Sequence, residues 1–191
     1  MIVIRSTEHG EQLLQDAALP CGRCERPLRR HGYGRTRTVR GPGASTITVT
    51  PRRARCPSCR DTHVLLPAAL LARRSDTTEV IGTALIAKAR GTSTRQIAAW
   101  LGRPVSTVRR WLREADAQHA DWLYQRGVKA VARVDQDLLV RPAAQPNVLA
   151  AALNLLVGAA LIYRDRLGVR DPTWTMIGVL AGGRLLPVLR T

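Results

Sequence analysis

The densest helical patterning of apolar positions lies between Ser75 and Arg113. Asp76 precedes Glu79 by three residues, the spacing of a reciprocal helix cap, and Val80, Ile81, Ala84 and Leu85 follow at helical spacing until Gly91 ends the run. A second cap signal, Ser93 with Gln96, opens a shorter helix carrying Ile97 and Leu101 on one face. Gly102 and Pro104 break it, and a third helix is expected from Ser106, with Val108, Trp111, Leu112 and Ala115 as its apolar stripe. Ser75, Ser93 and Ser106 are thereby expected to act as caps. The stripe turns Ser106, Arg110 and Arg113 outward and sets Thr107 and Arg109 on the flanks. Short helix, Gly-containing turn and helix with a basic outer face together form a helix-turn-helix pattern.

Elsewhere the periods change. Met1 to Arg5 reads as a strand and Thr7 to Ala18 as a helix closed by Pro20. Thr36, Thr38 and Val39 lead into a Gly41-Pro42-Gly43 turn, Thr46 to Val49 lead out of it, and Thr62 to Leu66 forms a further strand. Beyond Arg113 the stripe of Leu112, Ala115, His119 and Trp122 predicts that the third helix continues, and Val131, Val134 and Leu138 resume the spacing. Pro142 and Pro146 mark a linker. Val148 to Tyr163 is an apolar run of sixteen residues, short of the roughly 18 to 20 a bilayer span needs. Burial or a homodimer interface through the C-terminal helices is the expectation, with Leu153, Leu156 and Leu161 among the contacts and no membrane involved. Asp171-Pro172 starts a last helix, from Trp174 to Ala181, which Gly182-Gly183 ends.

Charge sharpens this outline. The chain of 191 residues carries a net charge of +16. Cys21 to Asp61 holds eleven Arg against two acids, and Arg73 to Arg113 holds nine bases against two; the rest is neutral. Excess charge confined to two neighbouring segments is the footprint of a polyanion binder. The candidate readers of double-stranded DNA are Ser106, Thr107, Arg109, Arg110 and Arg113. Arg95 and Arg103 are expected on phosphates, with Arg23, Arg26, Arg29, Arg30, Arg52 and Arg53 as backbone contacts of the first segment.

Cys21-x-x-Cys24 and Cys56-x-x-Cys59 bracket the first basic segment. A two-residue gap lets both sulfurs of a pair reach one Zn²⁺ at about 2.3 Å, and two pairs close a tetrahedron. The pattern predicts a structural Zn²⁺ in a zinc ribbon, with a long hairpin filling the 31 residues between the pairs. His31 and His63 lie nearby as alternative ligands, but four thiolates already complete the shell, so both are expected as polar strand residues. No signal peptide is recognisable at the N-terminus, so reduced thiolates and a cytoplasmic protein are expected.

No catalytic constellation emerges. Asp135, Asp137, Asp165 and Asp171 fall in helical or linker sequence, without the strands that hold acids around Mg²⁺. There is likewise no expectation of a small-molecule substrate.

The paired cysteines, Arg53-x-Arg55-Cys56-x-x-Cys59-x-x-Thr62-His63 and Leu65-Leu66-Pro67 resemble the N-terminal zinc-binding segment of bacterial insertion-sequence transposases. The helix-turn-helix placed directly after them extends that resemblance from Cys21 to Arg113. The chain is also similar to short actinobacterial helix-turn-helix proteins of undefined function, including a Trp-containing helix before Gly182-Gly183-Arg184-Leu185-Leu186. The resemblance implies DNA binding, but the acidic triad of the transposase catalytic domain has no counterpart.

The expectation is an α+β chain: a strand and helix over 1–20, a zinc ribbon over 21–67, a helix-turn-helix over 73–115 and a helical region over 116–191. Its expected role is that of a non-enzymatic, sequence-specific DNA-binding protein, either a regulator or a transposase-derived accessory protein. The alternatives are a truncated transposase acting with a catalytic partner and a zinc-ribbon module binding protein or RNA.

Overall fold

A computed structural model describes residues 1–134 and 144–188 as a mixed α+β fold. The strands are β1 (Ile2–Ile4), β2 (Arg29–Tyr33), β3 (Arg37–Arg40), β4 (Thr46–Val49), β5 (Arg52–Arg55) and β6 (Thr62–Pro67). Helix α1 (Thr7–Gln15) follows β1, and α2 (Thr78–Ala89) to α7 (Thr173–Leu180) follow β6.

One sheet runs in the order β1-β6-β5-β2, with β1 parallel to β6 and the other pairs antiparallel. The N-terminal strand thus joins the same sheet as the cysteine-bearing segment. Ile4, Leu14 of α1, Leu28, Ala54 and Leu65 bury together with Cys21 and Cys56. Strands β3 and β4 form a separate two-stranded ribbon. The 31 residues between the cysteine pairs are therefore divided between the β2–β5 pair and an outer β3–β4 hairpin. Val39 seats the hairpin against Leu66 and Leu70.

The larger core belongs to the helices. Ile81, Leu85, Ile97, Val108 and Trp111 bury with Leu123, Leu156, Ile177 and Leu185. Helix α3 (Thr94–Leu101) starts at the expected Ser93–Gln96 reciprocal cap and ends on Gly102, whose φ of 62° suits a residue without a Cβ. The caps of two other helices differ from expectation. Helix α2 is capped by Thr77, because Asp76 faces Arg40 and Arg103 instead. Helix α4 (Val105–Glu114) begins directly after Pro104, so Ser106 lies inside the first turn and caps nothing; Ser75 is not a cap either.

The expected continuation of this helix is interrupted. Ala115 ends α4, and Asp116 caps α5 (Ala117–Ala132) through the His119 amide. A local side-chain acceptor outcompeted the continued apolar stripe. Leu138, Pro142, Asp135 and Asp137 lie outside the described residues.

Helix α6 (Val148–Leu167) spans 20 residues, longer than the apolar run because Arg164 to Leu167 extend it. Its stretch Val148–Arg166, with a mean hydropathy of 1.5, is long and apolar enough to cross a bilayer, in contrast to the sixteen-residue apolar run within it. In this fold Ala152, Leu153, Leu156, Ala159 and Ala160 are buried, and α6 packs against α5, α7 and α2. Gly127 permits a close approach of α5 and α6: a Cβ there would stand 2.7 Å from Leu155 Cβ. Leu161 is not an internal contact; it is 49% exposed.

Candidate functional site

The two Cys-x-x-Cys segments adopt the same local structure. The Glu25 amide donates to the Cys21 carbonyl and the Arg60 amide to the Cys56 carbonyl. The Cys21 and Cys56 amides donate in turn to Arg26 and Asp61 carbonyls. Each turn closes on a left-handed residue after its second cysteine, Glu25 at φ 58° and Arg60 at φ 64°. Leu28 and Ala54, both fully buried, press the two turns against one floor.

The four sulfurs lie within 4.8 Å of one another, with Cys21–Cys59 at 3.6 Å and Cys24–Cys56 at 3.4 Å. All four are free thiols. Such a cluster can hold a metal ion such as zinc, which would use all four sulfurs and leave no open position. Backbone amides prepare it for anionic sulfur. The Arg23 and Cys24 amides lower the Cys21 thiol, and the Cys59 amide leads in holding Cys56 down to about 7. Cys59, despite the Asp61 amide, is pushed up to about 12 by burial and by the sulfurs of Cys21, Cys56 and Cys24. Metal-free thiols so close cannot all ionise, so loading the site releases protons.

His63 stands on β6 with Nε2 at 3.7 Å from Cys21 Sγ. It is a neighbour to the centre, able to donate to a metal-bound sulfur and steady it. The described metal-capable cluster consists of the four cysteines, with His63 beside it. His31 is exposed on β2.

The basic side chains divide into two groups. On α4, Ser106, Arg109, Arg110 and Arg113 are exposed and Thr107 is half-buried, while Val108 and Trp111 face the core. Arg95 is exposed on α3. Arg29 is exposed and Arg53 half-buried on neighbouring strands of the sheet.

Arg103 and Arg52 are turned to internal work. Arg103 is buried, pairs with Asp76 and donates to the carbonyls of Gly41, Leu101 and Gly102. Its expected phosphate contact is therefore corrected: the guanidinium ties the turn between α3 and α4 to the β3–β4 hairpin. Arg52 is paired with Glu11 of α1, and its guanidinium lies 4.0 Å over the Tyr33 ring. It is likewise corrected from a phosphate contact to a brace between α1 and the sheet. Arg30 shares Glu11 at 3.1 Å while remaining exposed.

Of the acids weighed for catalysis, Asp165 is exposed on α6 and Asp171 pairs with Arg5 at 3.4 Å. Arg55, Arg60 and His31, none of them among the expected DNA contacts, join Arg29 and Arg30 around a cleft beside Cys56. The signal for them is the β2–β5 register, which brings Arg29 opposite Arg55.

No curated protein and no solved structure matches the chain. Residues 21–111, which take in the four cysteines and the chain from β2 to Trp111 of α4, are similar to a family described as a domain of unknown function (DUF6431).

Proposed function

We propose that the chain is a non-enzymatic, zinc-stabilised protein that reads double-stranded DNA through a helix-turn-helix formed by α3 and α4. The observation that carries this reading is the division of α4 into a core face of Val108 and Trp111 and an exposed face of Ser106, Arg109, Arg110 and Arg113. A recognition helix needs that division: one face fixes the helix, the other reaches base edges in the major groove. Residues in the first turns reach bases first, which favours Ser106, Thr107 and Arg110 as readers. Arg95, on the preceding helix, serves as a phosphate contact. The four-cysteine centre takes one structural Zn²⁺, whose tetrahedral preference suits four thiolates. Cytoplasmic residence and the role of a regulator or transposase-derived accessory protein belong to the same proposal.

Selection of bound duplexes from a random pool tests it. The expected result is one enriched motif. Arg110→Ala should then flatten preference at one or two base pairs, each worth about 1–3 kcal/mol of discrimination. Arg95→Ala should weaken all sequences alike. A wild-type protein that enriches nothing and binds duplex weakly and independently of salt would refute the reading.

A further inference from the structure

Antiparallel pairing of β2 with β5 sets Arg29 directly opposite Arg55. Directly opposed residues project from the same face of a sheet, and like charges placed there repel. The Arg55 Nε donates to the carbonyl of Arg60, which brings a third arginine to the same place. Arg30 also lines the cleft, but it stands opposite Ala54 rather than Arg55 and its guanidinium is paired with Glu11. Among the described residues, no ion pair involves Arg29, Arg55 or Arg60.

These four arginines, with His31, Cys56 and Pro57, line a cleft of about 230 Å³ that contains no acid. The acids nearest to it leave Arg29, Arg55 and Arg60 without an ion pair. Glu11 serves Arg30 and Arg52, and Asp61 pairs with Arg23. Pockets for drug-sized ligands run from roughly 300 Å³ upward, so this cleft suits a single small anionic group. Guanidinium forks match the oxygens of phosphate in shape and charge.

We infer that the cleft of Arg29, Arg55 and Arg60 is a binding site for one phosphate group, which bridges the opposed arginines of β2 and β5. The site stands apart from the α4 face and carries no base readout. Phosphate there relieves the repulsion between Arg29 and Arg55 and so favours the folded sheet. Its supply as a nucleic-acid backbone rests on the DNA reading above; a free phosphate would use the same chemistry.

The test uses the full-length, metal-loaded protein, with metal content measured for every variant. Melting is followed in inorganic phosphate and in chloride at matched ionic strength. Binding to a non-specific duplex is followed against salt. Phosphate should raise the melting temperature of the wild type beyond chloride, since a ligand of the folded state stabilises it. The effect should vanish in Arg29→Gln/Arg55→Gln and shrink in Arg60→Gln, which leaves both strands intact. The slope of log affinity against log salt should fall by about 1 for each backbone phosphate no longer held. Lost phosphate protection with an unchanged duplex slope would establish the site and assign it a free phosphate. Intact protection in a wild type that binds no duplex would sink the DNA reading and leave the cleft standing. Equal protection of wild type and both variants would overturn the inference.

Discussion

Asp76 accepts the Nε–H of Arg103 across 2.6 Å, with both side chains almost wholly buried. The second carboxylate oxygen takes Arg40 at 2.7 Å. One acid thus links β3 of the outer hairpin to the turn between α3 and α4. The hairpin backbone reinforces this link, since the Arg40 amide donates to Ser75 and the Thr77 amide to Arg40. Removing one partner of a buried pair strands the other charge, at a cost of about 3–5 kcal/mol. Asp76→Ala should therefore lower unfolding stability by that amount in chemical denaturation. Arg95→Ala, on the exposed face of α3, should stay within about 0.5 kcal/mol of wild type. Equal, small effects from both would show that the pair does not bind the two parts together.

A second seam runs between the last helix and the strand end. At Gly178 a Cβ would stand 2.2 Å from the Ala68 carbonyl oxygen, a backbone atom that cannot turn aside. Gly158 of α6 meets nothing within 4 Å. Gly178→Ala should destabilise by roughly 1–3 kcal/mol or more through overpacking. Gly158→Ala should stabilise by up to about 1 kcal/mol through helix propensity. Thermal denaturation of the two variants measures both signs in one experiment.

Local chemistry was legible in the sequence, and long-range competition was not. Ser93 and Gln96 formed the cap their spacing promised, because both partners lie in one helical turn. Asp76 had the same spacing to Glu79, but two arginines distant in sequence claimed its carboxylate. The clustering of the four cysteines was readable because each two-residue gap lets both sulfurs of a pair turn to one point. The opposition of Arg29 and Arg55 was not, since it depends on strand register and on the irregularity between Arg30 and Tyr33. The extent of α6 was underestimated for a different reason. Arg164 and Arg166 end an apolar run without ending a helix.

His119 makes the C-terminal turn sensitive to pH. Its Nε2 sits 3.1 Å from the Arg184 carbonyl and 3.3 Å from that of Leu185, and its ring stacks on Trp122. Burial lowers its pKa below the usual 6.5, outweighing the opposing pull of those carbonyls and of Asp116 and Glu114. The unfolded chain therefore binds the proton more readily than the folded one. This contribution to stability is complete above about pH 6.5 and declines as pH falls towards the folded value. Denaturation midpoints should drop on acidification through this window, and His119→Gln should flatten the response. A profile identical in the two proteins would remove His119 as its cause.

The cysteine turns supply the sharpest conformational test. Glu25 and Arg60 occupy equivalent left-handed positions, where a Cβ is crowded and a β-branched side chain is worse. Glycine relieves that strain, which costs about 1–2 kcal/mol, but gives back about 0.4–1 kcal/mol as extra freedom of the unfolded chain. Glu25→Gly should therefore leave stability unchanged or raise it slightly, and metal affinity should persist. Glu25→Val should lower both. The strained residue must hold its amide toward the Cys21 carbonyl for the turn to close, and relaxation would misdirect the amides that favour anionic sulfur at Cys21. Competition against a zinc chelator reads the affinity, and chemical denaturation of the loaded protein reads the stability. Glu25 is exposed, so packing does not complicate the comparison. If Val and Gly behaved alike in both measurements, the left-handed backbone at Glu25 would not be what shapes the site.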